Sequence, residues 1–214
     1  MRRLAVLILS SIVSIACHLA PRAPSVAAAS QGDVAAMKKL LDMGLDPNAR
    51  DATGYTPLIS AARAGNVSMI RLLTSRGADP NLRDAAVNSW TPLLHAVHKG
   101  QPGSIAALLD AGADANGSDS YGTTPLMMAA GYGYTDIVRI LLARGANPRL
   151  PTREGITAID LARSGVPDID RFTVFDCQDD TVKALLAADP KLPDHTENLP
   201  GIARLLMKTK RCGA

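Results

Sequence analysis

The chain has 214 residues, of which 47% are hydrophobic, 20% are charged and only 3% are aromatic. This composition excludes a collagen-like or a disordered protein, because aliphatic residues are plentiful and Gly and Pro follow no triplet period. The formal net charge is +3, but residues 1–27 contain three arginines and no acid, so 20 basic and 20 acidic side chains remain beyond them. We therefore expect no nucleic-acid partner, since phosphate binding needs a clustered basic face.

The first residues of the chain have the pattern of an export signal. Arg2 and Arg3 precede an apolar run at 4–16, which is shorter than the roughly 20 residues that a membrane-spanning helix needs. The small residues Ser25 and Ala27 flank Val26 and fit the rule for ordinary signal peptidase. We therefore predict a signal peptide over 1–27 and a periplasmic or secreted protein.

A second processing site overlaps this signal. The string SIAC, which ends at Cys17, resembles the bacterial lipoprotein box, although Ser14 stands where that box usually has Leu. In that case Cys17 would be lipidated and the protein would be anchored in the cell envelope. An uncleaved membrane anchor is the third alternative. For a cleaved signal, a membrane partner is expected only if Cys17 is lipidated.

Beyond the signal, one motif recurs along the chain. The strings TPLISAARAG, TPLLHAVHKG and TPLMMAAGYG begin at Thr56, Thr91 and Thr124, and a degenerate copy begins at Thr157, at spacings of 35, 33 and 33 residues. A series of glycines has the same period and consists of Gly44, Gly77, Gly112 and Gly145. Such a period is typical of stacked repeats of one supersecondary unit.

One copy of the motif predicts two short helices. The Thr56 hydroxyl can cap the first helix, and Pro57 suits its first position because the missing N–H costs nothing there. Gly65 ends this helix, and the apolar stripe of the second helix includes Ile70 and Leu73. Since one unit cannot bury its apolar side alone, neighbouring units must stack.

These strings, with MGLDPN, RGADPN, AGADAN and RGANPR, resemble the ankyrin repeat over residues 28–190. The resemblance implies an all-α solenoid of helix-turn-helix units with projecting hairpins. The predicted units are a partial one at 28–50, full ones at 51–83, 84–118 and 119–151, and an atypical one at 152–190 with an insertion near 166–179. Residues 191–214 are predicted to form a C-terminal capping helix and tail.

The sequence predicts no catalytic residue, no metal site and no cofactor. It contains no GxSxG, P-loop, HExxH or CxxC motif. His95 and His98 could share a metal, but no Cys or carboxylate has matching spacing, so we expect His95 to be partly buried and His98 to face the concave groove. Asp168 and Asp170 are interpreted as solvated loop acids. An enzyme is therefore the weakest of the functional hypotheses.

Ankyrin-like proteins bind partners through hairpin tips and the exposed side of the first helices, which together form a concave face. The residues that match these positions are Tyr55, Arg63, Trp90, His98, Lys99, Tyr121 and Tyr132. Tyr, Trp and Arg dominate the energies of protein interfaces. Trp90 also lies on a hairpin that is two residues longer than the one before it. The alternative is that these rings cover the edges of neighbouring repeats.

The sequence thus predicts a monomeric, non-enzymatic module that binds another protein through its concave face. A membrane-tethered scaffold is the alternative that lipidation of Cys17 would favour. We also predict a disulfide between Cys177 and Cys212, because these two cysteines remain in the exported body and an oxidising compartment allows the bond. Two independent buried thiols are the alternative.

Overall fold

The computed structural model describes residues 23–85, 88–164 and 178–193, and within these ranges the chain forms ten α-helices and no strand. The helices are α1 (Pro24–Gln31), α2 (Val34–Asp42), α3 (Pro57–Ala64), α4 (Val67–Ser75), α5 (Pro92–His98), α6 (Pro102–Asp110), α7 (Pro125–Gly131), α8 (Thr135–Ala143), α9 (Ala158–Ser164) and α10 (Asp179–Ala188). They form five consecutive pairs, which confirms the predicted all-α class.

The five pairs stack into two layers. The first helices, α1, α3, α5, α7 and α9, pack on one another in that order, and the second helices form a parallel row. The core lies between the two layers and is continuous along the solenoid. It is built from fully buried aliphatic side chains such as Ile59, Leu73, Leu94 and Leu108.

The residues predicted to begin and to end the helices do so. The hydroxyl of Thr56 accepts a hydrogen bond from the Ile59 N–H at 3.2 Å, and Thr91 and Thr124 cap α5 and α7 in the same way. Gly65 ends α3 in the left-handed region at φ +80°. A Cβ at this position would lie 2.6 Å from Oε1 of Gln101 in the next unit, so Gly65 permits both the turn and the close packing.

The first unit has two helices, although the sequence predicted only a partial unit at 28–50. Helix α1 begins at Pro24, which lies 33 residues before Pro57 and occupies the same place in its unit. Val26 is fully buried, and α1 packs against α3. The predicted end of the signal peptide, at residue 27, therefore falls inside α1.

In the last described unit, α9 and α10 are farther apart along the chain than the two helices of each other unit. The Gln178 N–H donates to the Ala162 carbonyl at 3.1 Å, just as the Asn66 N–H donates to the Ala61 carbonyl at 3.0 Å. The chain thus returns to the repeat register at Gln178, immediately before α10. Most of the insertion predicted near 166–179 falls outside the described residues, and its last residue, Asp179, is the first residue of α10.

Several predictions fall on residues outside the described ranges. They concern residues 1–22 of the signal peptide predicted over 1–27, the disulfide between Cys177 and Cys212, and residues 194–214 of the capping helix and tail predicted over 191–214. These remain predictions. Among the helices that are described, none combines the length and the hydrophobicity that a membrane crossing requires.

Candidate functional site

The hairpins between units are held by the side chain of their first residue. Asp51 Oδ1 accepts a hydrogen bond from the Tyr55 N–H at 3.0 Å, and Asp119 Oδ1 accepts one from the Thr123 N–H at 2.8 Å. Adjacent hairpins are also joined, because the Arg153 N–H donates to the Tyr121 carbonyl at 3.1 Å. The hairpin tips are therefore positioned relative to one another by backbone hydrogen bonds.

Six aromatic and imidazole rings form one row, here called the ring row, across units two to four. In spatial order it consists of Tyr55, His95, Trp90, His98, Tyr132 and Tyr134, with successive ring centroids between 5.1 and 5.9 Å apart. The rings meet edge to face or tilted, which is the favoured geometry for such pairs. The row brings together four of the seven predicted contact residues.

Trp90 and Tyr121 differ in their surroundings. The Trp90 ring is partly buried between His95 and His98, and its Nε1 is buried without an acceptor in the described part of the chain. The Trp90 ring therefore packs against α5 of its own unit instead of projecting from the hairpin. Tyr121, at a hairpin tip, is 57% exposed and does not belong to the ring row.

A buried polar cluster lies beneath the ring row. His95 Nε2 is 2.7 Å from Asp84 Oδ2, and each side chain is only 2% exposed. On the other side of the imidazole, Arg63 Nη1 is 3.0 Å from His95 Nδ1. His95 was expected to be partly buried, but it is almost fully buried, because the hairpin of unit three folds the Asp84 carboxylate onto α5.

The hydrogen bonds determine the protonation of His95. A guanidinium can only donate, so Nδ1 must accept from Arg63 and the imidazole proton must reside on Nε2, which donates to Asp84. The pKa of His95 is lowered from 6.5 to about 4, chiefly by burial and also by the positive charge of Arg63, against the hydrogen bond to Asp84, which raises it. His95 is therefore neutral at pH 7.

This cluster predicts that the protein loses stability in mild acid. The unfolded chain binds a proton at His95 with a pKa near 6.5, whereas the folded chain binds it only near pH 4, so stability falls as the pH falls through this window. The shift corresponds to at most about 3 kcal/mol. Urea denaturation between pH 7 and pH 4 measures the effect. His95→Gln should flatten the profile, and identical profiles for the two proteins would contradict the assignment.

A cleft of about 240 Å³ opens next to this cluster. It is lined by Ser30, Tyr55, Ser60, Arg63, Ala64 and Lys99, which come from three consecutive units. The Arg63 guanidinium carbon lies 5.3 Å from the centroid of the Tyr55 ring, within the range of a cation–π contact. The structure thus brings the predicted contact residues Tyr55, Arg63 and Lys99 into one cleft, and Ser30 and Ser60 were not predicted.

The two histidines do not share a site. Both ring nitrogens of His95 are engaged, by Asp84 and Arg63, while His98 Nδ1 is 3.1 Å from the Tyr132 hydroxyl. Over residues 23–85, 88–164 and 178–193, no three potential metal ligands cluster together.

Three models of protein families match the chain. Two describe ankyrin repeats in many copies and match residues 26–74 and 108–162, and the third describes the ankyrin repeat and matches residues 88–120. Together they cover more than half of the sequence, and the first match begins inside α1. With the stacked helix pairs and their hairpins, these matches show that the chain is an all-α ankyrin-repeat solenoid.

Proposed function

We propose that this protein is a non-enzymatic module that binds another protein in an exported compartment, through its concave face and hairpin tips. Ankyrin repeats generally serve as scaffolds for protein–protein interaction. The observation that carries the proposal is the ring row, which crosses three units beside the cleft that holds Arg63 and Lys99.

The chemistry of this face suits a protein partner. Aromatic rings and arginines supply most of the hot spots of interfaces, and rings that already touch one another lose little freedom on binding. Tyr121 extends the face to a hairpin tip, where its ring is available to a partner. The repeat stack holds all these groups at fixed spacing.

A Tyr121→Ala variant tests this role. We expect its affinity for the native partner to fall by about 1–2 kcal/mol, because an exposed ring at the interface is lost, while its stability changes by less than about 0.5 kcal/mol. The partner is first captured from the native cell envelope with the wild-type protein, and affinities are then measured by calorimetry. Arg139→Ala, on the exposed side of α8, is the matched control. Equal affinities for both variants would contradict the proposed role of the hairpin tip.

The start of α1 favours a second candidate, a lipid-anchored scaffold. Cleavage after Ala27 would remove half of α1, including the fully buried Val26 that packs in the first interface of the stack. Processing at Cys17 would leave α1 whole. Mass spectrometry of the mature protein separates the two, since a diacylglyceryl group on Cys17 supports the scaffold and an unmodified N-terminus between residues 18 and 24 supports soluble export.

A further inference from the structure

We propose that the cleft between units one, two and three binds a carboxylate of the partner protein, from an Asp or Glu side chain. This inference deepens the proposed function and rests on it. The residues that provide hydrogen-bond donors are Arg63 and Lys99, which carry positive charge, and Tyr55 and Ser60, which carry hydroxyl groups.

Three of these donor groups have no partner in the described part of the chain. Over the described ranges, the Tyr55 hydroxyl, the Ser60 hydroxyl and the Lys99 ammonium make no hydrogen bond or ion pair. Ser60 is 5% exposed as a residue, and the cleft gives a small ligand access to it. A carboxylate in the cleft would satisfy the hydroxyls and both cations. Hydrogen bonds of this kind are the strong ones, because the acceptor or the donor is ionised.

Arg63 is oriented without being neutralised. One of its N–H groups donates to the neutral His95, and its guanidinium lies over the Tyr55 ring. The carboxylate of Asp84 is buried on the far side of the imidazole and is bonded to His95. Because a guanidinium has five N–H donors in a planar fork, Arg63 retains donors for a bidentate carboxylate.

On the side of the second helices, arginines already pair with aspartates of the preceding unit. Arg76 on one unit pairs with Asp42 of the preceding unit at 2.8 Å, and Arg144 pairs with Asp110 at 2.5 Å. On the concave side, Arg63 instead meets an imidazole of the following unit. An acidic side chain of a partner would therefore pair with Arg63 in the way that aspartates of the chain pair with Arg76 and Arg144.

The experiment uses a fluorescein-labelled hexaglutamate peptide and the full mature chain, with fluorescence anisotropy at moderate ionic strength, where distant charges are screened. We expect the double variant Arg63→Gln/Lys99→Gln to bind the peptide at least about tenfold more weakly than the wild type, because both cations of the cleft are lost. Gln at position 63 still offers a donor to His95, so the fold is retained, which circular dichroism and thermal unfolding verify. Hexaglutamine is the neutral control peptide.

The matched control variant is Lys39→Gln/Arg71→Gln, which removes two exposed cations from the second helices α2 and α4. It should bind hexaglutamate within about twofold of the wild type at moderate salt, since exposed and distant charges are screened. An equal loss in both double variants would show general attraction of anions and would overturn the proposal. Competition by inorganic phosphate but not by acetate would overturn it as well, by assigning the cleft to phosphate.

Failure here is distinguishable from failure of the proposed function. Suppose that the Arg63→Gln/Lys99→Gln variant binds hexaglutamate as tightly as the wild type does, while Tyr121→Ala still weakens binding of the native partner. In that case only the carboxylate assignment is overturned. If neither substitution affects the native partner, the concave face itself is not the binding surface.

Discussion

Replacing Asp84 with Ala should lower the free energy of unfolding by about 3–5 kcal/mol, because two hydrogen bonds to a buried carboxylate are lost, each typically worth about 1.5–3 kcal/mol. Asp84 is 6% exposed as a residue, and its two oxygens accept hydrogen bonds from the Trp90 N–H at 3.1 Å and from His95 at 2.7 Å. The variant would leave the buried Nε2–H of His95 without an acceptor. Urea denaturation at pH 7 measures the loss.

Two further variants separate the causes of this loss. Asp51→Ala removes the corresponding hairpin residue of unit two, which has no histidine partner, and should cost only about 1–2 kcal/mol. In Asp84→Ala/His95→Leu the unsatisfied donor is also removed, so part of the lost stability should return. Equal losses for Asp51→Ala and Asp84→Ala would mean that the hydrogen bond to His95 adds nothing.

The second large effect is expected in the core. Leu108 lies on α6 in the central unit and is fully buried, so Leu108→Ala should cost about 2–5 kcal/mol through the lost transfer energy and the cavity left behind. Leu109, the next residue on the same helix, is only partly buried and serves as the matched control. Leu109→Ala should cost clearly less.

The repeat architecture adds a second readout to this substitution. Units interact only with their neighbours, so weakening the central unit weakens both of its interfaces. Hydrogen exchange should therefore accelerate in α4 and α8 as well as in α6. Faster exchange confined to α6, or equal losses in Leu108→Ala and Leu109→Ala, would contradict this account of the core.

Periodic features of the fold were predictable from the sequence. The spacing of the TPL strings and of the glycines located the helix pairs, because caps and turns depend on one residue and its immediate neighbours. The first helix was missed since Ala23 replaces the capping threonine, although Pro24 keeps the 33-residue spacing to Pro57.

Contacts between residues that are far apart in the sequence were harder to predict. Asn48 donates to the Gly77 carbonyl at 3.0 Å and accepts from the Asp79 N–H at 2.8 Å, and the equivalent Asn81 repeats this bridge to the next unit. Only the recurrence of asparagine after Asp-Pro was visible in the sequence, and it predicted a turn without revealing the bridge.

The candidate site was predictable in composition but not in arrangement. The position of each residue within its repeat predicted that Tyr55, Arg63 and Lys99 lie on the concave face. The structure brings these three residues into one cleft. The burial of Asp84 and His95 depends on how the longer hairpin of unit three folds over α5, which no local pattern specifies. The same folding buries part of Trp90, which sequence reasoning had assigned to a projecting tip.

Site-specific photo-crosslinking in cells of the native host tests the binding face most directly. A photoreactive residue replaces Ala64, which is exposed and lines the cleft, or Arg71, which is exposed on the second helix of the same unit. We expect a discrete crosslinked protein from position 64 that disappears when excess unmodified protein competes, and none from position 71. A competable crosslink from position 71 with none from position 64 would contradict binding through the concave face.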